Sequence, residues 1–218
     1  MTKKILLGMI FFSFILSGCQ IVNSMQAVAT AAPSGTLLFK DDFTMNVNHW
    51  GTSNSEVGSV NFLYQGLDIK VEKTDSLLWT LAGQKYQDVK IDVDGVLLGG
   101  PTDDVYGAIC RFQDSQHFYG FLITHDGYYG IFKMQEGQLI LADPGGGLKY
   151  SEAIRQGGVV NHLEAVCQGN LLSLSVNGQL LAEIQDSSLT EGQIGLIAGA
   201  YSNPGVEVFF DNLEVTQP

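Results

Sequence analysis

From Thr36 onward apolar and polar residues alternate with a period of two, glycine-containing turns interrupt the alternation, and almost no helical period is present. The stretch from Asn170 to Gln185 shows this most clearly. Leu172, Leu174 and Val176 point one way, Ser173 and Ser175 the other, and Asn177-Gly178 supplies the two positive-φ residues of a type I′ hairpin turn. Asp126-Gly127 and Glu136-Gly137 mark two further turns, between strands 117–125, 128–134 and 138–142. The same reading predicts strands near 37–43, 57–63, 67–72, 77–82, 87–97, 105–112, 160–168, 193–199 and 206–215. Helix is limited to a turn or two around Ser151 to Gln156. About a dozen strands at this spacing in one domain predict an all-β, two-sheet antiparallel sandwich.

The first 35 residues break this pattern. Lys3 and Lys4 precede an apolar run from Ile5 to Leu16, shorter than the roughly 20 residues that span a bilayer. It reads as the core of a cleaved signal peptide, residues 1–18. Leu16-Ser17-Gly18-Cys19 resembles the lipobox of bacterial lipoproteins, which implies cleavage before Cys19 and a diacylglyceryl group on its thiol. An ordinary signal peptide or an uncleaved anchor helix is the alternative. Residues 19–35 are small and polar (Asn23, Ser24, Ala27, Pro33, Ser34, Gly35) and form a tether between the lipidated end and the domain at 36–218. The expected location is lipid-anchored on the extracytoplasmic face of the cell membrane or, in a Gram-negative cell where Gln20 follows the cysteine, on the outer membrane.

Charge narrows the partners. The chain has 11 Lys and Arg against 23 Asp and Glu, a net charge of −12, and two of those lysines fall in the leader. So acidic a surface argues against nucleic acid and anionic lipid, both negative themselves. With 45% hydrophobic and only 16% charged residues the chain is not disordered. Once Cys19 is lipidated, Cys110 and Cys167 remain, an even pair in an exported protein, which suggests a disulfide; two buried free thiols are the alternative. Alternation puts Cys110 on a face with Ala108 and Phe112, and Cys167 with Leu163 and Ala165, while Arg111 points the opposite way.

Seven segments occur in an order that resembles a known family: Tyr106–Phe112, Phe118–Phe121, Asp126–Lys133, Asn161–Asn170, Val176–Gly178, Gly192–Leu196 and Val208–Val215. Together they resemble the concanavalin A-like or laminin-G-like jelly rolls of bacterial surface proteins, and most of all the group with keto-disaccharide hydrolase-like domains. The resemblance covers residues 37–216. It implies two curved antiparallel sheets, a concave face that often meets carbohydrate, and first and last strands lying side by side. It leaves activity open, because one fold hosts many functions.

Catalytic signatures are missing from the sequence. No Glu-x-Asp-x-x-Glu run places an acid and a nucleophile about 5 Å apart on one strand. His49, His117, His125 and His162 have no metal-ligand spacing, and there is no Gly-x-Ser-x-Gly elbow or phosphate loop. Binding residues are easier to nominate. Trp50, Trp79, Tyr106, Tyr119, Tyr128 and Tyr129 offer rings that stack on sugars, with core packing as the alternative for each, and Arg111, His125 and Asp126 offer groups for hydroxyls. Arg111, alone in an apolar strand, requires either a buried carboxylate or a ligand. Asp42 and Asp211 would lie close if the terminal strands pair, and related jelly rolls often hold a structural Ca²⁺; capping of backbone amides is the alternative. The expectation is a non-catalytic surface module that binds glycans. A glycan-active hydrolase of the keto-disaccharide hydrolase-like type and a protein adhesion or assembly module are the alternatives. Oligomeric state stays open.

Overall fold

The computed structural model describes residues 32–101, 104–143 and 145–218. The leader, Cys19 and the tether up to Ala31 lie outside the described residues. Within the unit Ala32–Pro218, all regular structure described is β. In chain order the strands are β1 (Leu37–Asp41), β2 (Ser53–Asn54), β3 (Gly58–Leu63), β4 (Gly66–Val71), β5 (Ser76–Tyr86), β6 (Val89–Gly99), β7 (Asp104–Asp114) and β8 (His117–Ile123). They continue with β9 (Tyr128–Gln135), β10 (Gln138–Leu141), β11 (Lys149–Tyr150), β12 (Asn161–Gln168), β13 (Leu171–Val176), β14 (Gln179–Gln185), β15 (Gly192–Ala200) and β16 (Val206–Thr216). Every strand foreseen from alternation is present. The two-residue strands β2 and β11 are additions, too short to show a period.

Sheet A runs β14-β13-β12-β6-β16-β4-β3-β2, with β1 beside β16, and sheet B runs β10-β9-β8-β7-β15-β5, with β11 beside β9. Every pairing is antiparallel, and Asp41 faces Leu213 where the first strand meets the last. The two sheets form a jelly-roll sandwich. Between them lie Ile69, Ile91, Leu163 and Phe210 from sheet A and Tyr106, Ala108, Phe121 and Leu196 from sheet B, all buried. Each large side chain buried this way contributes roughly 1.5–3 kcal/mol. Cys110 on β7 and Cys167 on β12 form a disulfide that ties one sheet to the other. The hairpin turn at 177–178 takes its positive angles as foreseen, φ +51° at Asn177 and +81° at Gly178.

Alternation misplaces one residue. Arg111 has φ +52° and forms a bulge in β7, where register against β8 and β15 shifts. The extra residue reverses the phase beyond it, so Phe112 does not share a face with Cys110 and Ala108 but joins Phe118 on the other side of the sheet. The facing strand accommodates the bulge with Gly192, where an added Cβ would lie 2.3 Å from the Arg111 carbonyl carbon. The segment 151–156 forms a hydrogen-bonded turn, Ile154 N–H to Ser151 O at 3.3 Å, without helix. It is held from outside: Asn161 Oδ1 accepts from the Arg155 amide (2.8 Å) and from Asn177 Nδ2 (2.8 Å), and Asn161 Nδ2 donates to the Arg155 carbonyl (2.9 Å).

The outward face of sheet A is charged. Lys90 lies 3.0 Å from Asp92 and 3.4 Å from Glu164, and His162 Nδ1 lies 2.8 Å from Asp94. Asp68 on β4 is only 4% exposed, and burial, reinforced by the nearby Glu207 charge, raises its pKa to about 6. A carboxyl raised in the folded state gives stability that is present below pH 4 and lost as pH rises to about 6. Asp68→Asn is therefore expected to stabilise the protein by roughly 2 kcal/mol at pH 7 and by nothing at pH 3.5. Urea denaturation at the two pH values checks this, and an equal effect at both would refute it.

Candidate functional site

Sheet B carries a second apolar face, turned away from the core. On β5 Leu77, Trp79 and Leu81 face outward, on β7 Val105 and Ile109, on β8 Phe118 and Leu122, and on β9 Phe132 and Met134. Trp79 packs on Phe112 and Phe118 with ring centres 6.1 and 5.6 Å apart, and Phe118 meets Phe132 edge-on at 5.6 Å. Glycines let these side chains lie flat. Phe132 covers Gly120, where an added Cβ would sit 1.8 Å from the ring, and Leu77 and Val105 close over Gly199 at 2.5 and 2.8 Å.

At one end this face opens into a cleft of about 720 Å³, within the range of roughly 300–1,000 Å³ usual for small-molecule sites. Leu77, Val105, Leu122, Leu139, Leu141 and Leu148 give it an aliphatic floor and wall. Asp75, Asp104, Asp126, Tyr128 and Tyr201 add polar groups. The β8–β9 turn positions several of these: Thr124 Oγ1 donates to Asp126 and accepts from the Tyr128 amide at 2.8 Å, and Asp104 Oδ1 accepts from the His125 amide at 3.1 Å. Tyr128 is 41% exposed and meets Tyr150 edge-on at 5.7 Å. An ion pair between Lys149 and Asp143 closes the loop that carries Leu148.

The nominated residues fall into two groups. Tyr128 and Asp126 reach the cleft, His125 lies beside it through its amide contact to Asp104, and Trp79 lies on the same sheet face. The others hold the sandwich together. Trp50 is 2% exposed, packs on Phe39 and Phe43, and donates its indole N–H to Asp41 Oδ2 at 2.8 Å. Tyr106 is buried beside Phe210, which pushes its phenol up to about 12, and Tyr129 packs against the inner core. Arg111 is 1% exposed and donates to Gln87 O (3.0 Å), Leu189 O (2.8 Å) and Asp88 Oδ1 (3.3 Å). Its partners are thus two backbone carbonyls and the Asp88 carboxylate, which is 35% exposed where the sequence led to expect a buried carboxylate or a ligand.

Tyr119 belongs to a polar knot at the β14–β15 loop. Its hydroxyl donates to Asp186 Oδ1 (2.7 Å) and accepts from the Leu189 amide (3.1 Å). Burial, together with the Asp186 carboxylate, raises its pKa to about 12. Asp186 Oδ2 also accepts from Lys133 Nζ at 2.7 Å. Burial pushes the Asp186 carboxyl up, but hydrogen bonds from Lys133, Ser188 and Tyr119 outweigh it and hold the group well below the usual carboxylate range. Asp42 accepts from the Thr44 amide and hydroxyl at 3.1 and 2.8 Å, and Asp211 from the Asn212 amide at 2.7 Å. Among the described residues no group of three or more His, Cys, Asp or Glu side chains is gathered to hold a metal.

Alternation alone did not point to Leu77, Val105, Leu122, Leu139, Leu141, Leu148, Asp75, Asp104 or Tyr201. A signal for the face was present in the chain. Tyr106–Cys110, Phe118–Ile123 and Ile194–Ala200 run apolar without alternating, the pattern of strands covered on both sides.

No protein-family model matches the chain, and a search of the curated proteins finds no match. Solved structures do match. The carbohydrate-binding module CBM66 from Bacillus subtilis superposes with a TM-score of 0.62 at 18% identity, over 77% of this chain and 95% of that one. A Bacillus licheniformis β-glucanase does so at 0.57 and 12%, over 85% and 100%. The GH43 protein BlXynB of Bacillus licheniformis gives 0.59 and 12%, over 82% of this chain and 39% of that one. At these identities the likeness is one of fold, and it agrees with the jelly-roll sandwich.

Proposed function

We propose that this protein is an exported, lipid-anchored binding module that takes a carbohydrate ligand in the cleft on the outer face of sheet B. The cleft carries the reading: it is a preformed recess of about 720 Å³, with an exposed tyrosine ring beside carboxylates that accept hydroxyl hydrogens. That one structural neighbour is itself a carbohydrate-binding module supports the choice of ligand class. Anchoring rests on the leader ending at Cys19 and on the tether that follows it. A lipid-bearing Cys19 holds the module at the membrane, since each buried methylene contributes about 0.8 kcal/mol.

On a glycan array the mature protein is expected to retain a defined subset of sugars, and Tyr128→Ala to weaken that binding at least about tenfold, or 1.4 kcal/mol. An array without signal at high protein density would overturn the reading. A hydrolase is the second reading, favoured by the three aspartates, Asp75, Asp104 and Asp126, that line one cleft. Release of reducing ends from a polysaccharide panel, abolished by Asp126→Asn, would establish it in place of the binding module.

A further inference from the structure

The cleft combines two kinds of surface. Its floor is branched aliphatic, whereas its charged lining consists of Asp75, Asp104 and Asp126, with no lysine, arginine or histidine among the described lining residues. Sugar rings alone suit such a floor poorly. Hydroxyls pressed against leucine and valine lose their water and find no partner. An alkyl or acyl chain gains about fourfold in affinity for each methylene it buries. Two of the apolar side chains also stand open to solvent at the cleft wall, Leu139 at 46% and Leu148 at 37% exposure, as a second apolar partner requires. The carboxylates of Asp75 and Asp126 in that lining repel an acidic head group and accept hydrogen bonds from hydroxyls or a cationic amine.

Resting on the carbohydrate reading above, we infer that the ligand of this cleft is an alkylated or acylated carbohydrate without acidic groups, its chain along the leucine floor and its sugar beside Tyr128 and the aspartates. The aliphatic surface supplies affinity, and the carboxylates select against uronic acid, sulfate and phosphate substituents.

Isothermal titration of the mature protein with four probes below their micellar concentrations tests this: decyl maltoside, maltose, decyl sulfate and decyltrimethylammonium. Decyl maltoside is expected to bind at least about tenfold more tightly than maltose and decyl sulfate. The double variant Leu139→Glu with Leu148→Glu, on an edge strand and an exposed loop, is expected to abolish that advantage while the melting temperature stays unchanged. Maltose binding as tightly as decyl maltoside would overturn the inference and leave the carbohydrate reading standing. Decyltrimethylammonium matching decyl maltoside would overturn the carbohydrate reading itself, and decyl sulfate matching it would remove the role of the carboxylates.

Discussion

Replacing Cys110 and Cys167 together by alanine is expected to cost about 4 kcal/mol of stability. The bridge spans 57 residues of sequence, and in the chain-entropy account a closed loop of that length constrains the unfolded chain by this amount. The loss extends beyond the loop. The two sulfurs lie fully buried between the sheets, Cys110 on β7 and Cys167 on β12, so the alanines also leave unfilled volume. For a domain of this size each kcal/mol moves the melting temperature by about 2–4 °C, which predicts a drop of about 10 °C. Thermal denaturation of the double variant beside the wild type measures it. A drop under 2 °C would show that packing alone joins the sheets.

Asp186→Ala follows, at about 3 kcal/mol. Lys133 and Asp186 have side chains only 15% and 18% exposed, so removing the carboxylate leaves an ammonium with little water and a phenol without its acceptor. Lys133→Met combined with Asp186→Leu is expected to recover part of the loss, because an apolar pair replaces both charges. The pH dependence has a definite sign. A carboxyl held low in the folded state gives stability that is present above pH 4 and lost as the pH falls further. The acid limb of the stability profile is therefore expected to flatten in Asp186→Asn. Equal acid sensitivity in the variant and the wild type would show that this cluster plays no part in it.

The strands and the sandwich were legible because one buried face imposes a period of two, and because Asn177-Gly178, Asp126-Gly127 and Glu136-Gly137 state their turns locally. The disulfide was expected from the even pair of cysteines left in a chain read as exported, and the structure contains it. The phase of β7 beyond Cys110 was not legible, since a bulge at a non-glycine residue leaves no mark in composition. The cleft was half legible. Tyr128 and Asp126 stood out as an aromatic ring and a carboxylate at a turn, but the aliphatic residues that shape the recess look like core residues in any single-strand reading. Which of two apolar faces is inward depends on pairings between strands far apart in sequence, such as β5 with β15 and β15 with β7.

Leu148 rests over Gly130, where an added Cβ would come within 2.8 Å of its terminal methyl. One missing carbon on β9 thus acts as the gauge of the recess. Alanine there would oblige the Leu148 methyl to move, so the lie of one wall of the recess depends on a single absent carbon.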